Sequence, residues 1–161
     1  MDRYFKLVEL IDENGVTIGD LASKTGLSTS TLRRYLRELE AAGLVARRDD
    51  LYVTTEVGLK LKRSMQALRR TREAEPYIVT DPSSGVAVPL SFRSYEQLLA
   101  IIDGRLVDEK ILMEHVRRYL PAWARNSLGD EYLAYLIESG AIKSLEDLKK
   151  YIKAVLEALE G

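Results

Sequence analysis

Apolar residues recur at three- and four-residue spacing along most of the chain, which predicts a mainly helical protein interrupted by two short β-hairpins. Tyr4, Leu7, Val8 and Ile11 make the first stripe, and Asn14-Gly15 supplies its stop. Val16-Thr17-Ile18 is a short apolar link of strand character. A helix over 19–25 carries Leu21 and Ala22 on one side, and Gly26 closes it where a left-handed residue is needed. Ser28 is a good N-cap for a helix over 29–42, with Leu32, Leu36 and Leu39 facing inward and Gly43 ending it. Segments 45–48 and 51–54 flank Asp49-Asp50 and read as a hairpin. Thr55 then caps a long helix running through Val57, Leu61, Met65 and Leu68 to about residue 72.

The second half opens on the β-prone stretches 77–80 and 86–88, separated by Asp81-Pro82-Ser83-Ser84-Gly85, a composition suited to a turn. Helices follow. Ser94 with Gln97 has capping-box spacing for a helix ending near Asp103-Gly104. Asp108 starts another through Arg118, and Pro121 sits well in the first turn of a short one around Trp123. Asp130 caps the next, which Gly140 terminates. Ser144 and Asp147 open a final helix to about residue 160, striped by Leu148, Ile152, Val155 and Leu159.

Charge divides the chain more sharply than hydropathy does. The 161 residues carry a net charge of −1, but residues 1–75 hold 14 basic and 12 acidic groups, and residues 76–161 hold 10 and 13. The sign changes beside Pro76, which also discourages helix continuation. We therefore expect two domains, 1–75 and 76–161, of mainly α (α+β) class. The absence of cysteine excludes disulfides and thiol chemistry, and a single histidine, His115, excludes any site needing two. No run approaches the ~20 apolar residues of a membrane helix, and MDRYFKLVEL lacks a signal-peptide core, so the expectation is a cytoplasmic chain without a membrane partner. Two Asn and two Gln among many charged residues resemble the balance of a thermophile protein.

Residues Ile18-Gly19-Asp20-Leu21-Ala22-Ser23-Lys24-Thr25-Gly26-Leu27-Ser28 and Leu32-Arg33-Arg34-Tyr35-Leu36-Arg37-Glu38-Leu39 resemble the helix-turn-helix of winged-helix transcriptional regulators. Glu40-Ala41-Ala42-Gly43-Leu44-Val45 and Tyr52-Val53-Thr54-Thr55-Glu56-Val57-Gly58 extend the resemblance, which covers roughly residues 4–70. It implies an N-terminal winged helix-turn-helix, followed here by a β-hairpin and a small α-helical domain. It also implies a sequence-specific regulator that binds double-stranded DNA, with Thr29, Thr31, Arg33 and Arg34 in the groove and Arg37 on phosphate. The helix over 55–72 commonly dimerises this family, so a homodimer is expected.

The residue types suit that chemistry. Small hydroxyl side chains at Ser28, Thr29, Ser30 and Thr31 let a helix approach DNA closely, and with its terminal amides they can bind phosphate. Arg33, Arg34 and Arg37 lie off the leucine stripe, free to enter a major groove about 12 Å wide. Arg47 and Arg48 suit a phosphate contact from the hairpin, although Asp49 and Asp50 at its tip would repel one. The basic run from Lys60 to Arg72 reads equally as a second DNA-backbone surface or as a solvated face beside a dimer seam of Leu61, Met65 and Leu68. Arg34 also has an (i, i+4) partner in Glu38 and so suits an ordinary solvated face. The competing function is a winged helix that docks a protein of the transcription or replication machinery.

The second half carries less. His115 reads as structural or surface, Trp123 as a core anchor, and Tyr119, Trp123, Tyr132 and Tyr135 as either a pocket lining or a core. The acids at helix starts read as caps rather than acid–base pairs. The stretch Leu128-Gly129-Asp130 through Leu133-Ala134 resembles small archaeal all-α domains, a likeness that implies no activity. No enzyme and no cofactor are expected, and an effector or protein partner is left to residues 76–161.

Overall fold

A computed structural model describes residues 2–80 and 87–160, with side chains described over 5–78 and 91–160. The chain forms two compact units, Met1–Arg63 and Ser64–Gly161. Both are mainly helical, and each contains a two-stranded antiparallel hairpin.

The first unit begins with α1 (Asp2–Glu9). This helix is shorter than its apolar stripe, because Ile11 is reached through two tight turns in which Leu10 N–H and Ile11 N–H donate to the Leu7 and Val8 carbonyls. Phe5, Leu7, Val8 and Ile11 are all buried, and Tyr4 lies outside the described side chains. α2 (Ile18–Thr25) starts with a full capping box: Thr17 Oγ1 accepts from Asp20 N–H (3.1 Å) while Asp20 Oδ2 accepts from Thr17 N–H (3.2 Å). Gly26 ends it at φ 72°, a left-handed conformation that costs a glycine little. α3 (Thr29–Ala41) follows, with Leu32, Leu36 and Leu39 fully buried.

β1 (Val45–Arg48) and β2 (Leu51–Thr54) pair antiparallel with Arg47 opposite Tyr52. Val16 adds a one-residue bridge to Tyr52, so the link between the first two helices does take strand character. α4 (Glu56–Arg70) begins under Thr55, whose hydroxyl donates to the Gly43 carbonyl (2.5 Å) and accepts from Gly58 N–H (3.0 Å).

In the second unit, β3 (Tyr77–Thr80) pairs with β4 (Ala87–Phe92), Tyr77 opposite Phe92. β4 runs beyond the expected 86–88 because Phe92 stacks on Tyr77 at 4.8 Å between ring centroids. The turn expected over 81–85 lies outside the described residues. α5 (Tyr95–Gly104), α6 (Glu109–Arg118) and α7 (Leu120–Trp123) follow. α7 passes into a π-helical turn, Ala124–Leu128, which Gly129 closes at φ 75°. α8 (Glu131–Glu138) and α9 (Leu145–Glu160) complete the unit.

The caps at Ser94, Asp108 and Asp130 form, each accepting a backbone N–H from its helix's first turn. The box expected of Ser94 and Gln97 does not close, since Gln97 Oε1 accepts from Arg93 N–H (2.7 Å) instead of Ser94 N–H. Asp130 does far more than cap. Its carboxylate is wholly buried and accepts from the hydroxyls of Tyr95 and Tyr151, the latter at 2.9 Å, as well as from Leu133 N–H (3.0 Å). Ser64 on α4 accepts from Tyr132 N–H (2.9 Å), so one polar knot joins α4, α5, α8 and α9. Burial pushes the Asp130 carboxyl above its ordinary value, and the surrounding donors pull it partly back.

Candidate nucleic-acid interface

α3 presents two faces with opposite chemistry. Its leucines are sealed in the core, while Arg33, Arg34 and Arg37 are all exposed. At its start, Ser28 Oγ accepts from Thr31 N–H (3.2 Å) and donates to Thr31 Oγ1 (2.9 Å), with Ser30 Oγ 3.3 Å away. Thr29 and Ser30 remain exposed, and Thr31 is half-buried. The N-terminal turn is thus closed by its own cap, with short side chains outermost.

The three arginines separate spatially. Arg33 and Arg37 line a groove of about 490 Å³ together with Arg47 from the hairpin. The same groove is lined by Glu40, Asp50 and Tyr52, and by Thr17, Ile18 and Gly19 at the start of α2. Positions 33, 37 and 40 share a helix face by their spacing, so that part of the grouping was legible; the arrival of Tyr52 and Asp50 depends on the β1–β2 register. Arg47 lies over the Tyr52 ring (5.9 Å) and its Nε–H donates to the Asp49 carbonyl (3.0 Å). Arg34 turns elsewhere, over the Tyr35 ring at 5.3 Å. An Arg34–Glu38 pair is not among the ion pairs of the described residues. Arg48, Asp49 and Asp50 are exposed at the hairpin tip, Asp49 with φ 55°.

The long helix requires a correction. Leu61, Met65 and Leu68 are all fully buried within the one chain, so the stripe expected as a dimer seam is a core stripe instead. A 3.6-residue period reports only that a face is covered, not whether the cover is the same chain or another. Among the basic residues of this run, Lys62 is half-buried and donates to the Ile11 carbonyl, and Arg72 meets Glu96 at 3.8 Å. Burial draws the Lys62 amine below its ordinary value.

In the second unit, His115 is buried with Nδ1 2.8 Å from the Tyr77 hydroxyl. Trp123 meets Tyr77 and Phe92 edge-on, and its Nε1–H donates to the Glu75 carbonyl (3.0 Å). The aromatic set expected as one cluster is divided: Tyr132 packs with Tyr135 and Tyr151, and Tyr119 is exposed beside His115. Burial pushes the Tyr132 hydroxyl up to about 12. Among the described residues there is no cluster of three or more His, Asp or Glu placed to hold a metal ion, and no helix long and apolar enough to cross a membrane.

Fold and site together describe a small helical domain with a capped, arginine-bearing helix beside a hairpin. Residues 2–76 match a family described as the HVO_A0261 N-terminal domain. No curated protein and no solved structure matches the chain.

Proposed function

We propose that the first unit is a winged helix-turn-helix and that the protein is a sequence-specific DNA-binding transcriptional regulator. α2, Gly26 and α3 make the helix-turn-helix, and β1–β2 makes the wing. The observation that carries the reading is α3 itself: arginines exposed on its outer side, leucines buried on its inner side, and a hydroxyl-rich first turn. A helix so built can enter a major groove without exposing core. Its action is binding rather than catalysis.

The test is selection of bound sequences from random duplex DNA by the full chain. A recurring motif is expected, and a palindromic one indicates two copies on the site. Replacing Arg33→Ala and Arg34→Ala together should weaken the best selected duplex by about 1–3 kcal/mol per lost base contact, read by mobility shift. Unchanged retardation would refute the assignment.

One observation favours docking to a protein instead: Glu40 and Asp50 share the groove with Arg33, Arg37 and Arg47, offsetting its positive charge. Salt distinguishes the two readings. Release of counterions from several phosphates makes affinity for DNA fall steeply and log-linearly with salt, whereas docking of a protein through a groove of mixed charge gives a much shallower slope.

A further inference from the structure

In the second unit, a cleft of about 750 Å³ opens between the end of α5, one side of α6 and the start of α9. Its floor carries three apolar side chains, Met113 buried and Ile102 and Leu145 half-buried, within a lining that is otherwise polar or charged. Its rim is charged: Arg105, Lys110, Arg117 and Lys143 are exposed there beside Lys149 and the acids Asp103, Glu109, Glu114 and Glu146.

The acids around the cleft are partly committed. Asp103 is paired with Lys149 (2.6 Å), and Glu114 with Arg118 (2.6 Å). Glu109 and Glu146 alone are left to face the four cations, none of which is in an ion pair among the described residues. Among the described residues, four cations outside any ion pair against two carboxylates leave a local excess of positive charge beside the three apolar side chains. Such a site is complementary to an anion with a nonpolar body: the charged end answers the rim, and the body covers the floor. A long polyanion is disfavoured by Glu109 and Glu146, and a bare inorganic ion gains nothing from Met113, Ile102 and Leu145.

We propose that this cleft binds a small amphiphilic organic anion, a carboxylate or sulfonate carried on an apolar body. The proposal does not rest on the DNA-binding reading, and its test contains no DNA, so each stands or fails separately.

The full chain is titrated with anilinonaphthalene sulfonate, whose fluorescence rises in an apolar site, and then challenged with octanoate or inorganic phosphate. Saturable binding is expected, displaced by octanoate and not by phosphate at the same concentration. Arg117→Gln with Lys143→Gln, both exposed and neutral to folding, should weaken it roughly fivefold. Lys6→Gln with Lys24→Gln removes the same charge from the first unit and should leave it unchanged. Absence of saturable binding, equal displacement by phosphate, or equal weakening by the Lys6/Lys24 pair each overturns the proposal.

Discussion

Gly58 lies in the first turn of α4, where a β-carbon would run into the Leu44 carbonyl and the Thr54 hydroxyl. Both obstacles are held, one by backbone and the other by burial. Gly58→Ala should therefore lower stability by about 1–3 kcal/mol in a denaturant melt, despite the better helix propensity of alanine. An unchanged midpoint would mean that the strand end yields easily. Asp130 offers a second test at this scale. Asp130→Leu deprives the Tyr95 and Tyr151 hydroxyls and Leu133 N–H of their acceptor, and each stranded donor costs about 1–3 kcal/mol. The pH dependence has a defined sign. A carboxyl raised in the folded state binds its proton more tightly there, so its contribution is full below the unfolded value of about 4 and is lost as pH rises through the folded value. Asp130→Asn lacks this loss and should gain stability relative to wild type from about pH 4 upward, measured by parallel melts across pH. A constant difference would count against the raised value. The cap at Asp130 was legible because its partner is three residues away. Tyr95 and Tyr151 stand 35 and 21 residues away, and no local pattern announces them.

Elements follow the same division between near and far. α3 was read almost to the residue because its cap, its stripe and its terminating glycine are all local. Ser28→Ala should cost about 1 kcal/mol of stability and loosen the turn that carries Thr29 and Ser30, seen as faster amide exchange there. Protection equal to wild type would mean that packing alone holds the turn. The β1–β2 hairpin was equally legible. The boundary of α1 was not, since two turn hydrogen bonds reproduce helical spacing as far as Ile11. Nor was the π-helical turn after α7, which gives an apolar pattern close to that of an α-helix.

For the whole molecule, a net charge of −1 means that no general positive field assists nucleic-acid binding. Under the proposed DNA-binding reading, recognition rests on few arginines of α3, and Asp49 and Asp50 oppose Arg47 and Arg48 at the hairpin tip. Asp49→Asn with Asp50→Asn should raise affinity for nonspecific duplex by roughly two- to tenfold at low salt, and the gain should shrink as salt rises. Asparagine also tolerates the left-handed backbone of Asp49. Anisotropy titrations at two salt concentrations decide it: equal affinities place the tip away from DNA. The division into units also belongs to this scale. Charge changes sign near Pro76, whereas packing divides the chain at Arg63, because Ser64 holds Tyr132 N–H and the Ala67 β-carbon faces Gly129 closely.

Taken by itself, the sequence determined the order and type of most elements, the residues that cap them and the apolar faces they bury. These depend on interactions within about four residues, where spacing is geometry. Only the tertiary structure decided what covers each face and which distant side chains meet. It turned the stripe of Leu61, Met65 and Leu68 from a seam into core, grouped Arg33 with Arg47 rather than Arg34, and enclosed Asp130 between two tyrosines. It also gathered Arg105, Lys110, Arg117 and Lys143 around one cleft from separate segments. The physical reason is the same in each case: burial and charge pairing depend on distance through space, and chain spacing encodes that distance only within an element.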